Sequence, residues 1–168
     1  MLNDIIKYTG IFVLIILIQV LIMDNIGFSG YVNPYVYILF ILLLPIKSPA
    51  WLVLFLSFFT GLTVDLFEAT PGLHTSASLF AGFLRPYILR IIAPHDGYEK
   101  TDIPGIAANG FRWFLVYVAL MVGLHHFFLF YMEVFRLSHF FITLARVVVS
   151  SFFSILFIVI LQTLFIRR

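Results

Sequence analysis

Asp65, Arg85 and Arg146 each interrupt a long apolar run. A charge deep in such a run costs about 2.5–3.5 kcal/mol on membrane-insertion scales, so each needs a partner or a task. Asp65 follows Gly61 by four residues, which puts both on one helix face. A glycine there lets another backbone come close beside the carboxylate. Such a carboxylate can bind or couple to a ligand, or it can be the ion pair or cap that holds a helix turn together. The structural role is preferred, because intramembrane carboxylates mostly pair with neighbours. Arg146 lies about 10 Å into its run, counted from His139 at 1.5 Å per residue. Its planar fork suits a carboxylate or helix-end carbonyls, so Asp65 is its expected partner, with an anion or substrate site as the alternative. Arg85 precedes Pro86 and is placed to snorkel to the near surface or to meet carbonyls freed by the proline.

The histidines suggest a metal and do not support one. His74, His125, His126 and His139 fall toward one end of their runs, but no HExxH or comparable spacing joins them. His125 and His126 are adjacent, so about 100° of helix rotation separates them. No serine–histidine, paired-aspartate or cysteine chemistry is present, and the chain has no cysteine at all. The expectation is therefore no catalytic residue, no metal, no cofactor and no enzyme.

The elements that carry these residues follow from composition. The 168 residues are 62% hydrophobic and 11% charged, against about 25% charged in a soluble domain, so the surrounding solvent must be lipid. The net charge of +2 is too mild for a nucleic-acid binder. Six apolar runs read as transmembrane helices of one all-α integral membrane domain, residues 1–168: about 8–23, 34–46, 49–66, 72–92, 111–132 and 139–165. The first is kept as a permanent span, since Asp24-Asn25-Ile26-Gly27 is no cleavage site. Asn33-Pro34, Ser48-Pro49 and Thr70-Pro71 read as helix starts. The run at 34–46 is short, and a re-entrant segment reads the same way. Residues 94–108, with His95, Asp96, Glu99, Lys100 and Asp102, form the one long polar loop. Within the fourth span, Ala77/Ala81 and Ser78/Gly82 are small-residue pairs that allow close helix packing. With both termini cytoplasmic, Lys7, Lys47, Arg90, Lys100, Arg112, Arg167 and Arg168 lie inside and only Arg136 outside, which sets the orientation.

The run Phe59-Thr60-Gly61-Leu62-Thr63-Val64-Asp65, with Gly72 seven residues on, resembles the signature of the bacterial rod shape-determining MreD family. Asn33-Pro34 at the second span, the length and the six-helix layout resemble it too. His74, Arg85-Pro86 and the loop after Pro94 are not part of that pattern. The resemblance implies a non-enzymatic component of the bacterial inner membrane that serves cell elongation and peptidoglycan synthesis. Its implied partners are an MreC-like bitopic protein, an MreB-like cytoskeleton, and a wall-synthesising glycosyltransferase and transpeptidase. The family is similar in fold to the S-components of energy-coupling-factor vitamin transporters, which makes a substrate-binding S-component the alternative. That role needs a polar pocket near the outer face, which Asp65, His74 and Arg146 could line. S-components dock through small residues on the first helix. Ile11 to Leu17 has none, which favours the scaffold.

Overall fold

A computed structural model describes residues 2–26, 32–95, 97–98, 103–135 and 139–165. Gly27, Asp96, Glu99, Lys100, Asp102, Arg136, Arg167 and Arg168, used above for the loop and the orientation, lie outside the described residues. The described elements are helices: α1 (Leu2–Ile18, running on through a wide π-type turn at Gln19–Met23), α2 (Ile38–Leu42), α3 (Ala50–Glu68), α4 (Leu73–Ile91), α5 (Ile106–Asn109), α6 (Phe111–Val134) and α7 (Phe140–Phe165). Four segments are long and apolar enough to cross a membrane: Leu2–Met23, Ala50–Glu68, Phe111–Val134 and Phe140–Leu164. The fold is thus all-helical and of the membrane-embedded kind. Helix α4 equals α3 in length but turns His74, Thr75, Ser78 and Arg85 inward, all of them buried.

Packing is strongest between α3 and α4, α6 and α7, and α4 and α6. Helix α1 stands at the margin. It buries only Ile15 and Ile16, then Gln19 and Met23 of its terminal turn. Its Ile5, Ile6, Val13 and Leu17 face outward, as do Trp51, Phe55 and Phe59 of α3. An apolar exterior of this kind is stable in hydrocarbon, where no hydrophobic force drives it inward.

The centre corrects the sequence expectation. A helix was expected from Asn33-Pro34 through Ile46, but only Ile38–Leu42 is helical. Every residue from Pro34 to Leu44 is buried, so the run is apolar because protein surrounds it, whatever its backbone does. Irregular backbone at membrane depth requires internal partners for its N–H and C=O groups. Side chains supply them here. Gln19 Oε1 accepts from the N–H of Val36 at 2.7 Å and of Tyr37 at 3.2 Å. The Oγ of Ser154 accepts from Tyr35 N–H at 2.8 Å, and that of Ser150 from Asn33 N–H at 3.2 Å. These bonds occupy the donors that a cap at Asn33 would have directed into a helix.

The far end of the segment is held by Arg85. Its Nη2 donates to the Leu44 carbonyl, and its Nε donates to the Tyr117 hydroxyl at 3.0 Å. Tyr117 Oη in turn donates to Leu42 O at 3.3 Å. Arg85 is 1% exposed, so it neither snorkels nor serves carbonyls freed by Pro86; it serves the carbonyls that end α2. Arg85→Met leaves Leu44 O without its charged donor and should lower stability in mild detergent by about 1–3 kcal/mol. Tyr117→Phe should cost less. The double variant should cost less than the sum, because the two side chains share one network, and equilibrium denaturation of all three checks this.

Candidate functional site

The turn between α3 and α4 is built on one carboxylate. Helix α3 ends at Ala69 (φ 55°), and the chain turns through Gly72 (φ 87°), whose left-handed backbone suits glycine. Asp65, 4% exposed, then caps α4 from the neighbouring helix. Its Oδ1 accepts from Thr70 Oγ1 (3.0 Å) and His74 N–H (2.9 Å). Its Oδ2 accepts from Gly72 N–H (3.1 Å), Thr75 N–H (2.9 Å) and Thr75 Oγ1 (2.6 Å). The first N–H groups of a helix lack internal partners and carry partial positive charge, so a carboxylate satisfies both demands. One turn back, a Cβ on Gly61 would fall 2.5 Å from His74 O and Thr75 Cα. Gly61 is therefore what lets the first turn of α4 lie against α3. Leu62, half-buried, fills the next position on α3. Gly61, Asp65 and Gly72 form one mechanical unit, the cap of the third-to-fourth helix turn.

The expected Asp65–Arg146 pair does not form. Arg146 Nη1 donates to Glu133 Oε2 at 2.8 Å, and its guanidinium sits over the Phe130 ring at 4.3 Å from the centroid. The Asn33 amide, turned as its hydrogen bonds require, accepts from Arg146 Nη2 at 2.7 Å. Asp65 already has five donors, three of them backbone N–H groups at the start of α4, so it has no call for a cation. Asn33 and Arg146 are thus brought together, Asp65 and His74 are brought together, and Arg85 lies apart.

The cap fixes His74, and His74 opens a chain of buried polar groups. His74 Nε2 lies 3.0 Å from Glu68 Oε2 and Nδ1 lies 3.0 Å from Tyr37 Oη. Tyr37 Oη is 2.7 Å from His125 Nε2, and the two Nδ1 atoms of His125 and His126 are 3.4 Å apart. His126 Nδ1 is 3.0 Å from Val122 O, and its Nε2 is 2.9 Å from Ser154 Oγ. Only one placement of protons satisfies every link. Val122 O can only accept, so His126 carries its proton on Nδ1 and takes the Ser154 hydroxyl proton at Nε2. His125 then donates from Nε2 to Tyr37, Tyr37 donates to His74 Nδ1, and His74 donates from Nε2 to Glu68. The single His126 Nδ1 proton is shared between Val122 O and His125 Nδ1, and from His125 onward every donor points toward Glu68. The adjacent histidines do address different neighbours, α2 and α7, as their helix rotation requires.

Glu68 opens into a cavity of about 490 Å³ that Asp24, Asn33, Pro34, Tyr35 and Phe67 also line. The carboxyl of Asp24, just beyond the apolar run of α1, accepts from Gln19 Nε2 at 2.7 Å. Burial pushes it up to about 6; the Gln19 bond opposes this and the Glu68 carboxyl adds to it. Among the described residues no three of His, Asp and Glu converge on a metal-sized point. The arrangement can hold and pass protons and can present two carboxyls to a cavity.

Sequence inspection missed most of this chain. Gln19 was visible only as a lone amide in an apolar run, and Ser150 and Ser154 as two hydroxyls four residues apart on one helix face. Tyr35, Tyr37, Glu68 and Asp24 gave no periodic signal. Asp65→Asn puts an amide nitrogen where an oxygen now faces donors and should cost about 2–4 kcal/mol. Exchanging the charges of Asp65 and Arg146 should be worse than either single substitution, in thermal unfolding in detergent. Rescue by the exchange would contradict the cap. Compared with known proteins, the chain matches no family model, no curated protein and no solved structure.

Proposed function

We propose that the chain is a non-enzymatic scaffold of the bacterial inner membrane, of the MreD kind. It would hold an MreC-like bitopic protein, with a wall-synthesising glycosyltransferase and transpeptidase and an MreB-like cytoskeleton as further partners. One observation carries the proposal: the residues of the family-like signature, Gly61, Asp65 and Gly72, meet as a saturated helix cap. Arg85 and Arg146 are likewise occupied by Leu44 O and Glu133. The charges inside the spans serve the bundle, and the helix exteriors are left for lipid and partner helices.

Six crossings with both termini in the cytoplasm fit this geometry. The end of α1 at Asp24, the end of α3 at Glu68 and Asn33 line one cavity, and Asn33 also bonds Arg146 near the α6–α7 turn. Those helix ends therefore share one side of the bundle. Tyr35 lies on that side, while Leu44 meets Arg85 nearer the other end of α4, which supports reading the segment 34–46 as a further crossing. Placing the Asp24 side outside keeps Lys7, Lys47, Arg90 and Arg112 in the cytoplasm. Partner helices would seat along α1 and α3, where a groove of about 470 Å³ runs between Tyr8, Phe12, Phe40 and Phe59.

The cavity favours a second reading, the S-component of a vitamin transporter. Its volume falls in the range of roughly 300–1,000 Å³ used by small-molecule sites, and it opens on the proposed outer side. Co-purification from native membranes in mild detergent separates the two. The scaffold is expected to bring an MreC-like protein; recovery of a transporter ATPase module without one overturns it.

A further inference from the structure

We propose that a proton on Asp24 bonds its carboxyl to Glu68 at the cavity, and that losing it parts the end of α1 from the end of α3. This goes beyond the scaffold reading and does not rest on it.

Glu68 Oε2 already receives the His74 Nε2 proton, at 3.0 Å. Its other oxygen, Oε1, is buried and has no donor. A buried acceptor without a donor is costly, and in a native structure it asks for an explanation. The carboxyl placed to supply one is that of Asp24, which lines the same cavity as Glu68. Two ionised carboxylates in that position repel each other; one proton held between them removes the repulsion and gives Oε1 its donor.

The surroundings leave the proton little competition. The terminal turn of α1 supplies Gln19, a neutral amide that donates to Asp24 Oδ1. Helix α4 supplies His74, whose tautomer is fixed by Tyr37 and by the chain behind it. The segment before α2 supplies the Tyr35 ring. The charges nearest from α6 and α7, Glu133 and Arg146, are paired with each other at 2.8 Å. Among the described residues no lysine or arginine forms an ion pair with Asp24 or Glu68. The Asp24 carboxyl, at about 6, would change charge on crossing mildly acidic pH.

The mechanical consequence follows from where the two groups sit. Asp24 closes the π-type turn, with its own N–H bonded to Gln19 O at 3.0 Å, and Glu68 is the last residue of α3. Gln19 anchors the terminal turn of α1 to the core, so the displacement is local to Asp24, whose side chain is tied only through Gln19 Nε2. Protonated, the carboxyl pair latches α1 to α3 across the cavity. Ionised, it pushes them apart and widens the cavity mouth.

Two readouts on the full chain in lipid nanodiscs test this. Infrared difference spectra taken across about pH 4 to about pH 8 should show a protonated carboxyl lost in a step near pH 6. The step should vanish in Asp24→Asn, move to lower pH in Glu68→Gln and stay in place in Glu133→Gln. No such step, one that survives Asp24→Asn, or one that Glu68→Gln leaves in place, overturns the carboxyl–carboxyl bond. The chain has no cysteine, so Asn25→Cys with Leu66→Cys gives a clean pair of labels. Their separation should lengthen as pH rises through that step and stay short in Asp24→Asn. An unchanged separation in the otherwise natural chain overturns the latch.

Discussion

The Gln19 carboxamide accepts two backbone N–H groups from a segment that has no helix to bond them, and the rest of the bundle is arranged around that fact. A chain inside hydrocarbon must satisfy each peptide group internally, and a continuous helix is the usual way. Between Asn33 and Tyr37 this chain does it with side chains instead, from α1 (Gln19) and α7 (Ser150 and Ser154). At the other end of α2 the carbonyls of Leu42 and Leu44 are served from α6 and α4 by Tyr117 and Arg85. The central segment is thus a hub whose ends belong to four helices. The π-type turn at Gln19–Met23 belongs to the same arrangement, since Gln19 also reaches Asp24 across it.

The helix cap at Asp65 is the second fixed point, and the two are joined through His74. Asp65 and Gly61 set the first turn of α4 against α3, which holds the His74 ring between Glu68 and Tyr37. Tyr37 belongs to the hub. The polar chain therefore links the cap, the hub, the two histidines of α6 and Ser154 of α7. Such a network specifies a single packing more sharply than apolar contact does, because a shifted helix leaves buried groups unpaired.

Much of this frame is legible in the sequence. The lipid environment follows from composition, and α3, α4, α6 and α7 fall close to where Pro49, Gly72, Gly110 and His139 place them. The shared face of Gly61 and Asp65 was visible from their spacing. The backbone of residues 34–46 was not, because a run buried on all sides is apolar whether or not it is helical. Its partners lie as far as 119 residues away. The partner of Asp65 was misjudged for a related reason. Depth suggested Arg146, but the true donors are mostly peptide N–H groups, which leave no mark in residue type. Arg146 found Glu133, only 13 residues earlier, across the α6–α7 turn.

The central claim is that side chains, with Gln19 foremost, satisfy the irregular backbone at the core. Residue-resolved amide hydrogen exchange in lipid nanodiscs measures it directly, comparing the natural chain with Gln19→Leu. The amides of Val36 and Tyr37 should exchange as slowly as those in the middle of α6, and Gln19→Leu should speed both while leaving α6 unchanged. Fast exchange at Val36 and Tyr37 in the natural chain, or indifference to Gln19→Leu, would contradict the account.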